Sequence, residues 1–284
     1  MGSAYDISIQ NVRRVYNVSH GGKRKERFVA IEDFSLDVEN GEFVTIVGPS
    51  GCGKSTLLNL IAGLSAPDAG EILIDGQRIT GPALDRGFVM QSYALFPWRT
   101  VVQNIQFGLE IQKVNKKERD RIADEYLELI GLTGFGNRYP YELSGGMQQR
   151  VAIARALAYN PKILLMDEPF AAVDAQTREL LQEELLRIWE KTRKTIIFIT
   201  HSIDEAVFLA QRVAVMSENP GRIKEVIKID LPYPRKRGDI KLSPNFNWLT
   251  NKVWRSLHNQ MDDGPQKRAD SARLEREIHP EAAL

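Results

Sequence analysis

The sequence predicts an α/β fold built on a mainly parallel sheet, with an antiparallel β region at the N-terminus and a helical insertion. Three observations carry this. Phe43-Val44-Thr45-Ile46-Val47 is a continuous apolar, β-branched run, as expected of a strand buried on both faces of a sheet. Further short apolar runs stand at 162–166, 195–200 and 212–216, with a helical pattern over 176–192 between the first two. That order gives parallel strands joined by right-handed crossovers. Residues 92–159, by contrast, carry helical patterns at 116–130 and 145–158 and no convincing buried strand between them.

The remaining elements follow in order. Residues 7–16 alternate partially and read as a strand, and Phe34, Leu36 and Val38 mark an outer strand. Between them the basic run Gly21-Gly22-Lys23-Arg24-Lys25-Glu26-Arg27 reads as a solvated hairpin or loop. After residue 47 comes a glycine-rich turn, then a helix in which Leu57, Leu60, Ile61 and Leu64 share one face. Residues 71–74 and 87–90 supply further strands. Beyond residue 231 the chain turns proline-rich and basic, then weakly helical at 247–257, and its last 20 residues are polar and expected to be poorly ordered. The division this predicts is one α/β unit over 1–230, with the helical subdomain at about 92–159 inserted, and a C-terminal extension over 231–284.

Bulk properties bound the function. The 284 residues are 43% apolar and 26% charged, which fits a globular chain rather than a disordered one. Lys plus Arg number 38 against 37 for Asp plus Glu, so the charge balance gives no reason to expect nucleic acid as a partner. A lone cysteine, Cys52, excludes an intramolecular disulfide framework and fits a reducing compartment. With no signal-like segment and no apolar run of the roughly 18 residues a spanning helix needs, the chain is expected to serve a membrane only from its cytoplasmic side.

The chemistry is written most clearly in Gly48-Pro49-Ser50-Gly51-Cys52-Gly53-Lys54-Ser55-Thr56, which satisfies the phosphate-loop (Walker A) pattern between a buried strand and a helix. Such a loop curls backbone N–H groups around phosphates and adds the positive potential of a helix start. Lys54 is expected to reach the β- and γ-phosphates of ATP and Ser55 to ligate Mg²⁺. The loop needs an acid at the end of a neighbouring strand. Asp167 and Glu168, after the run 163–166, provide it: Asp167 is placed to hold the metal, Glu168 to polarise the attacking water as a general base. Two acids after a strand also start ordinary loops, and it is the phosphate loop that favours the functional reading.

A third motif narrows the class. Leu143-Ser144-Gly145-Gly146-Met147-Gln148-Gln149-Arg150 opens the 145–158 helix, where Ser144 can cap and the glycine amides make a second phosphate-binding helix start. It stands 23 residues before Asp167.

With these motifs in this order, residues 7–230 resemble the ATP-binding-cassette (ABC) ATPases: a P-loop NTPase core whose helical insertion carries the ABC signature. The resemblance implies an ATPase motor using ATP and Mg²⁺. Gln91 matches the glutamine that senses magnesium and the permease. Ser144, Gly145, Gly146 and Gln148 fall in the signature, which in this family binds the γ-phosphate of ATP held by the opposite subunit. His201, 33 residues after Glu168, matches the switch histidine. Tyr16 matches the aromatic that stacks on adenine, with Phe28 as a competitor. Asp174 fits the loop that communicates between subunits, which here reads Ala171-Ala172-Val173-Asp174 where relatives usually carry Ser-Ala-Leu-Asp.

Because each site needs the phosphate loop of one subunit and the signature of another, the resemblance implies a homodimer or a heterodimer with a paralogue. It also implies an integral membrane permease as partner and, indirectly, an extracytoplasmic solute-binding protein. The location it implies is peripheral, on the cytoplasmic face of a prokaryotic inner membrane. Leu95-Phe96-Pro97-Trp98-Arg99-Thr100-Val101 with Asn104-Ile105 and Gly108-Leu109-Glu110 is similar to the ATPases of nitrate, sulfonate, taurine and bicarbonate importers. In that resemblance Tyr93 to Trp98 lie near the groove that receives the permease. Phe96 and Trp98 are otherwise core aromatics of the insertion. A soluble ABC ATPase acting on another macromolecule is the alternative reading.

Overall fold

The computed structural model describes residues 5–19, 25–171 and 173–258. Strands β1 (Tyr5–Ser19), β2 (Lys25–Glu39), β3 (Phe43–Val47), β4 (Ala69–Ile74), β5 (Gln77–Arg78), β6 (Arg86–Val89), β7 (Ile163–Asp167), β8 (Thr195–Ile199), β9 (Arg212–Met216) and β10 (Ile223–Lys228) form two sheets. The larger runs β10-β9-β3-β8-β7-β6, parallel from β9 to β6, with β10 antiparallel at its edge. The smaller, β2-β1-β4-β5, is antiparallel throughout. The α/β class and the N-terminal antiparallel region therefore stand as predicted.

The helices are α1 (Lys54–Ile61), α2 (Val101–Ile111), α3 (Lys116–Leu129), α4 (Gly145–Ala158), α5 (Ala175–Thr192), α6 (Ile203–Leu209), α7 (Arg237–Ile240) and α8 (Pro244–Leu257). α2, α3 and α4 have their own core, with Val101, Ile105, Leu109, Leu127, Val151 and Ala154 buried together. Two larger cores lie on the two faces of the parallel sheet, one under α1 with Leu57, Leu58 and Ile61, the other under α5 and α6 with Leu185, Trp189 and Phe208. Phe246, Leu249 and Val253 of α8 and Leu231 ahead of it belong to that second core.

Several expectations are corrected. β1 and β2 are 15 residues each, longer than the runs read from the sequence, and their register shifts at Ile9/Val12, Val12/Arg14 and Arg14/Val15 break the period-two signal. Lys25 and Arg27 of the basic run belong to β2; residues 20–24 lie outside the described residues. α1 stops at Ile61, and Leu64, expected on its buried face, is exposed beyond the left-handed Gly63. α2, β10 and α6 have no counterpart among the predicted elements. Ala172 and the polar tail beyond residue 258 lie outside the described residues.

Candidate functional site

Four elements converge at the C-terminal ends of β3, β7 and β8, the edge of a parallel sheet where ligands bind. β3 delivers the chain into the phosphate loop, and α1 leaves it. Gly53 caps α1 at φ +100°, and a Cβ there would stand 2.7 Å from the carbonyl oxygen of Ala30, so both conformation and space require glycine. The Lys54 ammonium turns back into the loop and donates to the carbonyls of Gly48 at 2.8 Å and Pro49 at 2.9 Å. Cys52 is buried among them, its Sγ 3.9 Å from the Lys54 ammonium. Burial pushes its thiol pKa up, against the opposing pull of Lys54. Ser50, Gly51 and Ser55 face outward, with Pro49 and Thr56 half-buried beside them.

The acids come from the end of β7. The Ser55 hydroxyl donates to Asp167 Oδ1 at 3.2 Å, joining the start of α1 to that strand. Burial raises the Asp167 pKa, Ser55 and Lys54 hold it down, and the neighbouring Glu168 adds to the rise. A hydroxyl and a carboxylate this close form a hard oxygen donor set of the kind Mg²⁺ takes, since that ion keeps several waters and needs few protein ligands. These residues fit the ion.

Glu168 sits at φ +43°, in the left-handed region that a non-glycine residue rarely occupies. Its N–H donates to the carbonyl of Ile199 at 3.0 Å, and that bond anchors the strained residue to β8. Its Oε2 lies 3.3 Å from Nδ1 of His201, which follows β8 and is largely exposed. Two sheet strands thus bring together an acid and an imidazole that are 33 residues apart.

The other predicted positions surround this centre. Tyr16 and Phe28 are direct cross-strand partners in β1 and β2, so they share one face, and the Arg14 guanidinium lies 4.9 Å from the Tyr16 ring. Gln91 is exposed just after β6. Ser144 caps α4 and accepts from the Met147 N–H at 3.4 Å; Ser144 and Gly145 are exposed. A Cβ on Gly146 would meet Thr177 Cγ2 at 2.6 Å, so glycine lets the start of α4 approach α5 closely. Gln148 donates back to the carbonyl of Leu143. Asp174 caps α5, and the Thr177 N–H it accepts at 2.9 Å holds its carboxyl pKa below the ordinary range. Among the described residues no hydrogen bond or ion pair joins the signature positions to the phosphate loop, and Ser144 and Gln148 bond only within their own helix start.

Sequence reasoning gave no role to two residues that organise the surroundings of Gln91. Arg155 of α4 donates to the carbonyls of Ala94 at 2.6 Å and Tyr93 at 3.0 Å, and both of those residues have positive φ. Fully buried Asn104 of α2 accepts from the Phe96 N–H and donates to the carbonyls of Phe96, Arg99 and Thr100, which fixes the loop 96–100. The signal available was a polar residue on the buried face of an apolar helix. Phe96 packs 4.6 Å from Phe107, whereas Trp98 is 72% exposed and is no core aromatic.

A strand–loop–helix cradle for phosphates, a hydroxyl–carboxylate pair beside it and a second acid facing a histidine define a P-loop nucleoside triphosphatase. The chain belongs, within that class, to the ATP-binding proteins of ABC transporters. The family model described as ABC transporter matches residues 31–171. The nitrate import ATP-binding protein NrtD of Synechocystis is 52% identical over 252 residues, 87% of this chain and 93% of that one. The aliphatic sulfonates import ATP-binding protein SsuB of Bacillus cereus is 48% identical over 247 residues, covering 87% and 94%. Among solved structures, the dimeric post-hydrolysis state of the ATP-binding cassette MJ0796 bound to ADP and Pi matches with a TM-score of 0.69 and 35% identity. It covers 80% of this chain and all of that one. The protein is accordingly an ABC ATPase that resembles importer subunits.

Proposed function

We propose that this chain is the motor subunit of an ABC importer: two copies, or this chain and a paralogue, sandwich two ATP molecules and drive a separate membrane permease for a small anion such as nitrate or a sulfonate. The single observation that carries the reading is the exposure of two half-sites. The phosphate loop presents Ser50, Gly51 and Ser55 outward, while Ser144 and Gly145 stand exposed at another helix start, one copy of each per chain. A second subunit completes what one chain leaves open, in keeping with the dimeric cassette among its structural relatives.

In this reading Gly48 to Thr56 bind the phosphates. Lys54 exchanges its two backbone carbonyls for β- and γ-phosphate oxygens, and Tyr16 offers its face to the adenine with Phe28 beside it. Ser55, Asp167 and Gln91 hold Mg²⁺, which when bound neutralises developing charge on the phosphates. Glu168 takes the proton from the attacking water at its carboxylate, and His201 donates to the γ-phosphate. Ser144, Gly145, Gly146 and Gln148 act on the nucleotide of the opposite subunit. Gln91 and the 93–98 loop, held by Arg155 and Asn104, carry the motion to the permease, with exposed Trp98 on the contact surface. Residues 1–230 with their 92–159 insertion form the cassette, and residues 231–257 of the extension pack onto it. The protein sits peripherally on the cytoplasmic face of a prokaryotic inner membrane and meets a solute-binding protein only through the permease.

The test is affinity purification of the tagged chain from native membranes in mild detergent, with each co-purifying protein identified. Recovery of a multi-spanning permease, lost on Trp98→Ala, is the expected result. Recovery of soluble proteins alone under conditions that preserve membrane complexes would contradict the transporter reading and leave the ATPase standing.

A further inference from the structure

His201 is largely exposed, yet the residues on either side of it are tied to one residue, Glu205. Thr200, fully buried, donates its hydroxyl to Oε2 of Glu205. The Ser202 hydroxyl accepts the Glu205 N–H at 3.4 Å, and the Ser202 N–H donates to the Thr200 hydroxyl at 3.0 Å. The Thr200 N–H reaches the carbonyl of Ile46 in β3 at 3.3 Å. Glu205, on the first turn of α6, thus closes a ring of hydrogen bonds around the backbone that carries the imidazole.

The other oxygen of the same carboxylate points to α5. Gln182, also fully buried, donates to Glu205 Oε1 at 2.7 Å. Arg178 brings its Nε to within 3.8 Å of that oxygen, while its Nη2 donates to the carbonyl of Val173, the residue before Asp174. Glu205 is itself buried. A buried carboxylate is costly without partners, and here both oxygens are engaged, one by the strand end that bears His201 and one by the helix that Asp174 caps. Apolar residues could fill this junction, so nothing in packing alone calls for an acid, an amide and a hydroxyl there.

We infer that Glu205 is a positioning residue for the hydrolysis step: with Thr200 and Gln182 it fixes the His201 imidazole against Glu168 and ties that imidazole to α5 and the Val173–Asp174 loop. Displacement of α5 at the subunit contact therefore moves His201 relative to Glu168. The inference rests on the reading of His201 as a group that acts in hydrolysis.

The experiment is a double-mutant cycle in ATP turnover on the full chain, with nucleotide affinity measured for each variant. Glu205→Gln leaves one of the two donors without an acceptor oxygen. It is expected to lower kcat about tenfold while the ATP Kd stays within about twofold. Combined with His201→Ala it adds no further loss, because its effect passes through the imidazole. Adding Gln182→Glu to Glu205→Gln reverses donor and acceptor across the α5 contact and restores most of the rate. Should Glu205→Gln fail to fold, Thr200→Val against Thr200→Ser asks the same question: only loss of the hydroxyl lowers kcat.

Wild-type turnover in Glu205→Gln and Thr200→Val, with His201→Ala slow, overturns the inference alone. So does a double variant whose losses multiply. Full activity in His201→Ala would instead remove the reading on which the inference rests.

Discussion

Cys52 shows how the residue scale constrains reactivity. It lies inside the phosphate loop, where a bulky group attached to the thiol would obstruct ATP. The structure adds that the side chain is only 1% exposed and that burial raises its pKa. A thiol that is both inaccessible and protonated reacts slowly, because the thiolate is the nucleophile. Labelling of the native protein by an aromatic disulfide at pH 8 should run at least about tenfold slower than labelling in denaturant. Each labelled molecule should lose ATP binding, since the added group occupies the space between Gly48 and Lys54. Equal rates in the native and unfolded protein would contradict the buried placement. Lys54 and Glu168 are held by equally local means. The ammonium is parked on two carbonyls of its own loop, and the carboxylate is presented by a left-handed backbone anchored to Ile199.

At the scale of elements, the ends of α6 matter as much as its start. Arg235, from the proline-rich segment after β10, donates to the carbonyls of Val207 at 3.3 Å, Phe208 at 2.8 Å, Ala210 at 2.9 Å and Leu231 at 3.2 Å. It also stacks on Tyr233 at 4.0 Å. Burial works against its charge, and the carbonyls of Val207, Phe208 and Ala210 that it satisfies are the orphaned acceptors at the end of α6. Replacing it by Met strands several buried acceptors, so Arg235→Met should lower the unfolding free energy by on the order of 3 kcal/mol, read from urea denaturation. An unchanged midpoint would show that the cap contributes nothing. Elements defined by burial on both faces, such as β3 and β9, and α4 behind its Ser144 cap, were legible in the sequence to the residue. α2 was not read as a helix, although Thr100 and Gln103 form a capping box at its start. β10 was hidden because it is an edge strand whose charged residues interrupt the apolar pattern. The site was legible wherever a loop motif fixes its own geometry, as from Gly48 to Thr56. The roles of Asn104, Arg155 and Glu205 were not, because each depends on partners brought close only by the fold.

On the scale of the whole molecule, three cores carry two tasks. The two faces of the parallel sheet hold the phosphate loop, acids and histidine in one frame, and the α2–α4 core holds the signature apart from them. The extension from 231 to 257 is part of the frame, because Leu249 and Val253 fill the same core as Trp189 and Phe208. No helix among the described residues is long and apolar enough to cross a membrane. In the proposed reading each chain offers a nucleotide half a site, and the hydrolytic state is one of association.

Sedimentation of Glu168→Gln with and without ATP and Mg²⁺ measures that association directly. With the proposed general base removed and the phosphate loop intact, ATP is expected to bind, to persist unhydrolysed and to convert a monomer of about 32 kDa into a dimer of twice that mass. A Glu168→Gln protein that binds ATP yet remains monomeric at every concentration, or that hydrolyses ATP at the wild-type rate, would contradict the account.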